Sequence, residues 1–340
     1  MFKTPHLAIT DENPVFDFEL RRIKRLRSSN RLWWYGSLIQ VVPCSLVVLF
    51  YVSQVVSAAY RYKTGAPSTN ANYSYYFGNY VYLSDYYTAT SALAAFVAAT
   101  AILFAAFAGI YYLAVTIHSV NHQINNGHWD LLRLTPLPEE DIYDAKVTTG
   151  EIRAWRIFNL EIALRLMLFV LAVLTTLVPA EVIVFGQDYF GSESVWMRLW
   201  SGLQQQPVIT VLEVGIVLII ALVWLVEPRW RMRALLALGL AISARVRNVS
   251  MSSLSAFFGL IGFYLGLITV AVVCSFLISR LNNALYYRLR DSFAYEDYYN
   301  LRAFIQFVST TGFVMAGYLY YAMTRAISRR SVLRHAFKGE

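Results

Sequence analysis

Residues 88–117 read TATSALAAFVAATAILFAAFAGIYYLAVTI and contain no charged side chain. A helix needs about 20 apolar residues to cross the hydrocarbon core of a bilayer, so this run is long enough to span a membrane. The composition agrees, because 57% of the 340 residues are hydrophobic and only 15% are charged. A soluble domain carries roughly 25% charged residues. The sequence therefore predicts an all-α, polytopic membrane protein.

Similar apolar runs on both sides predict six transmembrane helices within one transmembrane domain that covers residues 1–340. The predicted spans cover about residues 34–58, 88–117, 157–185, 207–226, 251–279 and 303–324. Residues 15–32 place apolar side chains on one helical stripe among arginines, which predicts an interfacial amphipathic helix; a solvated basic tail is the alternative. Residues 228–250 are rich in arginine, and their apolar core is too short to cross unaided. We interpret them as a helix at the membrane surface or as an inward extension of the fourth span.

The distribution of basic residues predicts the orientation of the chain. In a six-span arrangement, one side of the membrane holds roughly three times as many Lys and Arg residues as the other. Because the basic side faces the cytoplasm, we expect both termini in the cytoplasm. We expect the chain itself to lie in the cell (plasma) membrane. The formal net charge of +8 is then explained by topology and by contact with anionic lipids, and no nucleic-acid partner is expected.

The region between the second and third spans is polar, and its centre reads GHWDLLRLTPLP at residues 127–138. Gly127 tolerates positive φ and can therefore end a helix or begin a turn. Residues 129–134 have an apolar side and predict a short amphipathic helix, which the two following prolines end. The acidic residues 139–141 favour the start of the next helix. The sequence predicts a helix, a break and a second helix; an ordinary surface loop is the alternative.

This polar region resembles the cytoplasmic signature of type-2 ATP-binding-cassette (ABC) transporter permeases. Those proteins typically read Glu-x-Gly-Thr-Trp-Asp/Glu-Leu-Leu, then a Thr-Pro-Leu turn, then a Lys a few residues later. The matching residues here are Gly127, Trp129, Asp130, Leu131, Leu132, Thr135, Pro136, Leu137 and Lys146. The predicted layout of interfacial helix and six spans is also similar to that family.

The resemblance implies a membrane-spanning permease subunit that forms a homo- or heterodimer with another permease subunit. Residues 118–156 would be the cytoplasmic coupling region, with a coupling helix seated in a separate ABC-type ATPase subunit. We expect export of an amphipathic or lipid-like substrate. The chain contains no Gly-x-x-x-x-Gly-Lys-Ser/Thr phosphate loop, so we do not expect it to be an enzyme that hydrolyses ATP itself.

One departure from the family pattern lies directly before Gly127. Many relatives alternate acidic and basic residues there, whereas residues 121–126 read NHQINN. Amides can hydrogen-bond as carboxylates do, but they carry no charge. This departure favours the alternative function, a non-transporting membrane scaffold or accessory subunit derived from the same fold.

Four charged residues, Glu161, Arg165, Glu181 and Glu213, lie within predicted spans, where an ionisable group is costly unless it is paired. Glu161 and Arg165 are spaced i, i+4, which predicts that they pair with each other. The pair is either a gate or coupling pair, or two side chains that extend to the membrane–water interface. Glu213 has no obvious local partner. It could line a substrate path, bind a dimer partner or lie at headgroup level.

No set of residues has metal-ligand or catalytic spacing, so no metal or cofactor is expected.

Overall fold

The computed structural model describes residues 78–134, 136–177, 195–246, 248–289 and 295–338, together with residues 41–50 and Val15, Leu38, Val52, Ser53 and Val56. Every element that these residues form is a helix, which confirms the all-α prediction for the described part. In chain order the helices are α1 (Gly78–Thr116), α2 (Asn121–Asn125), α3 (His128–Arg133), α4 (Glu139–Leu177), α5 (Val195–Gln205), α6 (Pro207–Arg245), α7 (Val249–Leu289) and α8 (Tyr295–Val332). A π-helical segment, Leu333–Lys338, follows α8 and is called the π segment.

Three of the described helices are long and apolar enough to cross a membrane. They are Ala92–Asn125, Pro207–Arg245 and Ser250–Ala284. They cover most of the predicted second span, from residue 92 on, and all of the predicted fourth and fifth spans. The chain thus has the helices of a membrane protein. Residues 157–177 of the predicted third span lie on α4 and the predicted sixth span lies on α8; neither helix is among the three, within the described residues. A count of six spans therefore stays a prediction.

The first span and the interfacial helix fall largely outside the described residues. Val41–Phe50, within the predicted first span, is an apolar helix. Of the predicted interfacial helix at 15–32, only Val15 is described, and its side chain is buried against α4, α6 and the π segment.

Helix α6 occupies the centre of the bundle and packs against α1, α4, α5, α7 and α8. Its second half explains this position, because residues 234–244 read ALLALGLAISA and are apolar on almost all sides. A helix that is apolar all round is stable when protein or lipid covers every face. Here protein covers it, since Leu235, Leu236 and Leu240 are completely buried.

The structure describes most of residues 228–250. Helix α6 continues without interruption through Pro228 to Arg245, so residues 228–245 extend the helix of the predicted fourth span and do not form a separate helix. The helix is longer than the predicted 207–226 span for the same reason. Helices α1, α4, α7 and α8 also extend beyond the spans predicted on them.

Helices α1 and α6 cross at close range. The Thr116 hydroxyl donates to the Leu236 carbonyl oxygen at 3.1 Å, and a Cβ added at Gly239 would overlap that hydroxyl and lie 3.0 Å from the Leu113 carbonyl. Small residues permit such an approach between helices. The crossing fixes the end of α1 beside the buried half of α6, which positions the polar segment that follows α1.

Candidate functional site

The polar segment after α1 is a compact helix–break–helix element, called the island and defined as residues 118–138. It contains α2 and α3, and α4 begins directly after it. Gly127 separates the two short helices with φ of 71°, a conformation that glycine adopts without the steric cost of a Cβ. Leu134 is 81% exposed, and His128 and Pro136 are exposed as well. The island therefore presents an apolar side chain to its surroundings at the end of the bundle.

Trp129 attaches the island to the rest of the chain. Its side chain is 3% exposed, its indole Nε1–H donates to the Ala336 carbonyl oxygen at 2.8 Å, and its ring lies 5.1 Å from that of Phe337. Leu132 and Leu137 pack against the same group of buried residues. We call this group the end core; it includes residues of α4, α6 and the π segment. Trp129 thus faces the interior of this chain and is not available to a partner in this conformation.

The amides before Gly127 are used within the chain. Asn121 is completely buried, its Nδ2 donates to the Val246 carbonyl at 2.7 Å, and its backbone N–H donates to Ser243 Oγ at 2.9 Å. Asn125 donates to Asn121 Oδ1 at 2.8 Å. A carboxylate at position 121 could not donate to a carbonyl and would be buried as a charge. The internal hydrogen bonds account for the amides at positions 121 and 125.

The remaining predicted coupling residues have mixed placements. Lys146 is buried on α4. Asp130 and Leu131 lie within α3, but their side chains, like residue Thr135, fall outside the described part. Pro136 is exposed, and Leu137 is half-buried. Among the predicted coupling residues, Trp129 and Lys146 are therefore buried and Pro136 is exposed. Leu134, which was not among them, is exposed as well.

A buried group of four charges lies further along the bundle, and we call it the quartet. It consists of Glu161 and Arg165 on α4 and Glu227 and Arg231 on α6. Arg165 contacts Glu161 at 3.2 Å and Glu227 at 2.6 Å. Arg231 pairs with Glu161 and lies 3.6 Å from Glu227. Each arginine therefore faces both carboxylates, and the four formal charges cancel.

Two tyrosines extend the quartet to two further helices. Tyr112 of α1 donates to Glu161 Oε2 at 3.0 Å, and Tyr321 of α8 donates to Glu227 Oε1 at 2.6 Å. Side chains from α1, α4, α6 and α8 thus meet at one polar point. Truncating one member of such a group leaves an unpaired buried charge, which is far more costly than the group's net contribution to stability. Its main consequence is that these four helices are held in one relative arrangement.

Pro228 provides Arg165 with a further acceptor. Proline has no N–H, so the carbonyl four residues earlier, that of Trp224, has no helical donor. Arg165 Nη1 donates to this carbonyl oxygen at 2.6 Å, and its guanidinium lies 4.6 Å from the centre of the Trp224 ring. A proline inside a long helix is thereby tolerated, and the helix stays joined to α4 at that level.

The sequence predicted the Glu161–Arg165 pair but not the other half of the quartet. Glu227 and Arg231 repeat the same i, i+4 order of acid and base, and this repetition was the signal that could have identified them. Glu213, by contrast, is exposed on α6 and forms no ion pair or hydrogen bond with any residue that the structure describes. The structure does not bring Glu213 together with the quartet.

Between the quartet and the island, two carboxyl groups on α4 are partly or fully buried. Burial raises the pKa of Glu151 above its usual value, against the opposing field of Arg233, which contacts it at 2.8 Å. Burial likewise raises the pKa of Asp144, against Arg329 and Arg325. This end of the bundle therefore holds basic side chains close to acids that are only partly exposed to solvent.

The fold and this site define the chain as an all-helical membrane protein with a polar, internally anchored element at one end of its bundle. No protein-family model, no curated protein and no solved structure matches the chain.

Proposed function

We propose that this chain is the membrane-spanning permease subunit of an ABC transporter and exports an amphipathic or lipid-like compound. A separate ABC-type ATPase subunit hydrolyses the ATP, and the permease works as a homo- or heterodimer with another permease subunit. In this proposal the chain lies in the cell membrane with both termini and the island in the cytoplasm. The sequence of residues 127–146 and the excess of basic residues at this end support the proposal.

The observation that carries the proposal is the mounting of the island. Leu134, which directly follows α3, projects outward, while Trp129 within α3 is hydrogen-bonded to Ala336 in the end core. A surface loop that merely connects two spans needs neither an exposed leucine nor a buried tryptophan anchor. An element that transmits the movement of a partner needs an exposed residue for the partner to contact. It also needs a buried residue that holds the element rigidly against the rest of the chain.

The quartet supplies the next step of the proposed mechanism. A displacement of the island would reach α4 directly through the chain and α8 through the π segment. Because the quartet joins α4 to α6 and Tyr321 joins it to α8, the three helices would move together rather than one at a time. The exposed apolar residues of α1, α6 and α7 would contact lipid or the second permease subunit.

Co-purification from native membranes tests the proposal. The wild-type chain, extracted in mild detergent, is expected to recover an ATPase subunit with a phosphate-loop sequence and measurable ATP turnover. Leu134→Asp is expected to reduce the recovered ATPase about tenfold, because an unpaired carboxylate would be buried in an apolar contact. Leu134→Met keeps an apolar side chain and serves as the matched control. Failure of the wild-type chain to recover an ATPase would contradict the proposal.

A second candidate function, a non-transporting scaffold or accessory subunit, is favoured by the amides before Gly127. Asn121 and Asn125 are engaged within the chain and offer no charge to an ATPase. Reconstitution into liposomes separates the two functions. A permease increases ATP turnover and moves a fluorescent amphipathic compound across the bilayer, whereas a scaffold leaves both rates at the level of the ATPase partner alone.

A further inference from the structure

A cleft of about 600 Å³ opens between α4, α6 and α8 at the end of the bundle that carries the island. Four arginines line it: Arg233 from α6, and Arg325, Arg329 and Arg330 from α8. Two acids on α4, Glu140 and Asp144, face the same space. The cleft is therefore polar and basic, in contrast to the apolar surface of the lipid-facing helices.

The acids neutralise only part of this positive charge. Arg329 pairs with Glu140 at 2.6 Å, and Arg233 pairs with Glu151 at 2.8 Å. Arg325 and Arg330 are exposed and form no ion pair with any residue in the described part of the chain. Four arginines thus stand against the three acids Glu140, Asp144 and Glu151, which leaves the cleft with a surplus of positive charge to bind an anion.

Arg329 adds an unused donor to the cleft. Its Nη2 is occupied by Glu140, but its Nε is buried and has no hydrogen-bond partner among the described residues. A buried donor without an acceptor is unfavourable, and an anionic oxygen that entered the cleft would supply one. Arginine forks match phosphate oxygens well, because their donors are planar and fixed in direction.

The surroundings of the cleft indicate where the anion would come from. Trp230 and Tyr318 line it and meet edge to face at 5.0 Å. Such rings favour the headgroup level of a membrane, where one end is apolar and the other is wet. Leu319 and Met323, next to the cleft on α8, are 51% and 61% exposed. An apolar surface suited to acyl chains therefore leads directly to the arginines.

We propose that this cleft binds the phosphate headgroup of an anionic phospholipid from the adjacent leaflet. Arg325 and Arg330 contact the phosphate, Arg329 donates to it through Nε, and the acyl chains lie along the exposed apolar side of α8. Tyr321 also lines the cleft and donates to Glu227, so the bound lipid lies one residue from the quartet. This site goes beyond the proposed function and requires no ATPase partner.

Native mass spectrometry of the purified full-length chain in neutral detergent tests the site. Short-chain phosphatidylglycerol is the anionic probe, short-chain phosphatidylcholine is the zwitterionic control, and inorganic phosphate represents a free anion. The wild-type chain is expected to bind phosphatidylglycerol at least about tenfold more tightly than phosphatidylcholine, because each basic residue adds to attraction for an anionic headgroup. Inorganic phosphate alone is expected to bind weakly, since it lacks the acyl chains.

Paired variants locate the binding. Arg325→Gln with Arg330→Gln is expected to remove the preference for phosphatidylglycerol. Arg245→Gln with Arg334→Gln removes two exposed arginines outside the cleft at the same end and is expected to retain the preference. Arg325→Lys with Arg330→Lys keeps both charges and should retain part of it. All four positions are exposed in the wild-type chain, and size-exclusion profiles are used to check that the variants fold.

Two results would overturn the inference. Equal loss in the cleft and control variants would mean that the anionic lipid responds to overall charge and not to this cleft. Equal affinity of the wild-type chain for inorganic phosphate and for phosphatidylglycerol would mean that the site takes a free anion and not a lipid.

Discussion

Helix α6 divides near Glu227 into two halves that meet different surroundings. In the first half, Val211, Val217 and Leu222 are each more than half exposed, as expected for side chains that face lipid. In the second half, Leu235 and Leu240 are completely buried by protein. Both halves are apolar in sequence. An apolar sequence indicates that its side chains are removed from water, but it does not indicate whether lipid or protein surrounds them.

The quartet lies at the boundary between the two halves. Glu227 and Arg231 follow the exposed half directly and precede the buried one, and they bind the pair on α4. A cost in free energy is expected wherever one of these charges is left alone, so the boundary should be the most sensitive part of the helix. The following predictions test this ranking.

The largest loss is expected at the quartet itself. Glu161→Ala leaves Arg165 and Arg231 with a single carboxylate between them and should lower the free energy of unfolding by about 4 kcal/mol. Equilibrium unfolding in mixed detergent micelles measures this loss. Glu213→Ala is the control on an exposed acid and should change the stability by less than about 0.5 kcal/mol. Equal losses of stability for Glu161→Ala and Glu213→Ala would contradict the prediction that the buried quartet is more sensitive than an exposed acid.

A matched pair of leucines compares the halves of α6 directly. Leu235→Ala opens a cavity in a fully buried position and should cost about 3 kcal/mol. Leu218, 57% exposed on the first half, should tolerate the same change with a loss below about 0.5 kcal/mol. Thermal unfolding of both variants in the same detergent gives the comparison. A loss at position 218 that matches the loss at position 235 would show that protein covers both halves.

A smaller loss is expected in the end core. Trp129→Phe keeps an aromatic ring but removes the donor to the Ala336 carbonyl, which should cost about 1 kcal/mol. Faster hydrogen exchange is expected at the amides of the π segment and of α3, because each holds the other in place. Unchanged exchange in both segments would mean that the island is not anchored there, which would weaken the argument for a rigid mount.

The sequence predicted those features that depend on local spacing. The Glu161–Arg165 pair follows from an i, i+4 relation, and the break at Gly127 follows from the preference of glycine for positive φ. The long apolar run at 88–117 indicated a membrane span, and Ala92–Asn125 is one of the described helices that are long and apolar enough to cross a membrane.

Features that depend on distant partners were not predictable in the same way. Arg231 appeared as one arginine among several in a basic stretch, because its partner Glu161 lies 70 residues away. Trp129 appeared as a docking residue, because its acceptor Ala336 lies at the far end of the chain. Pro228 lies inside α6, and the carbonyl that it leaves without a helical donor is satisfied by Arg165 on another helix. In each case the missing information was a contact between helices.

The central claim is that α4 and α6 are joined through buried charges at the boundary between the lipid-facing and protein-covered halves. A double-mutant cycle of Glu161→Gln and Arg231→Gln measures this contact most directly. The account predicts that the double variant loses less stability than the sum of the single losses, by at least about 2 kcal/mol, since the double variant leaves no unpaired partner. Losses that add to within about 0.5 kcal/mol would contradict it.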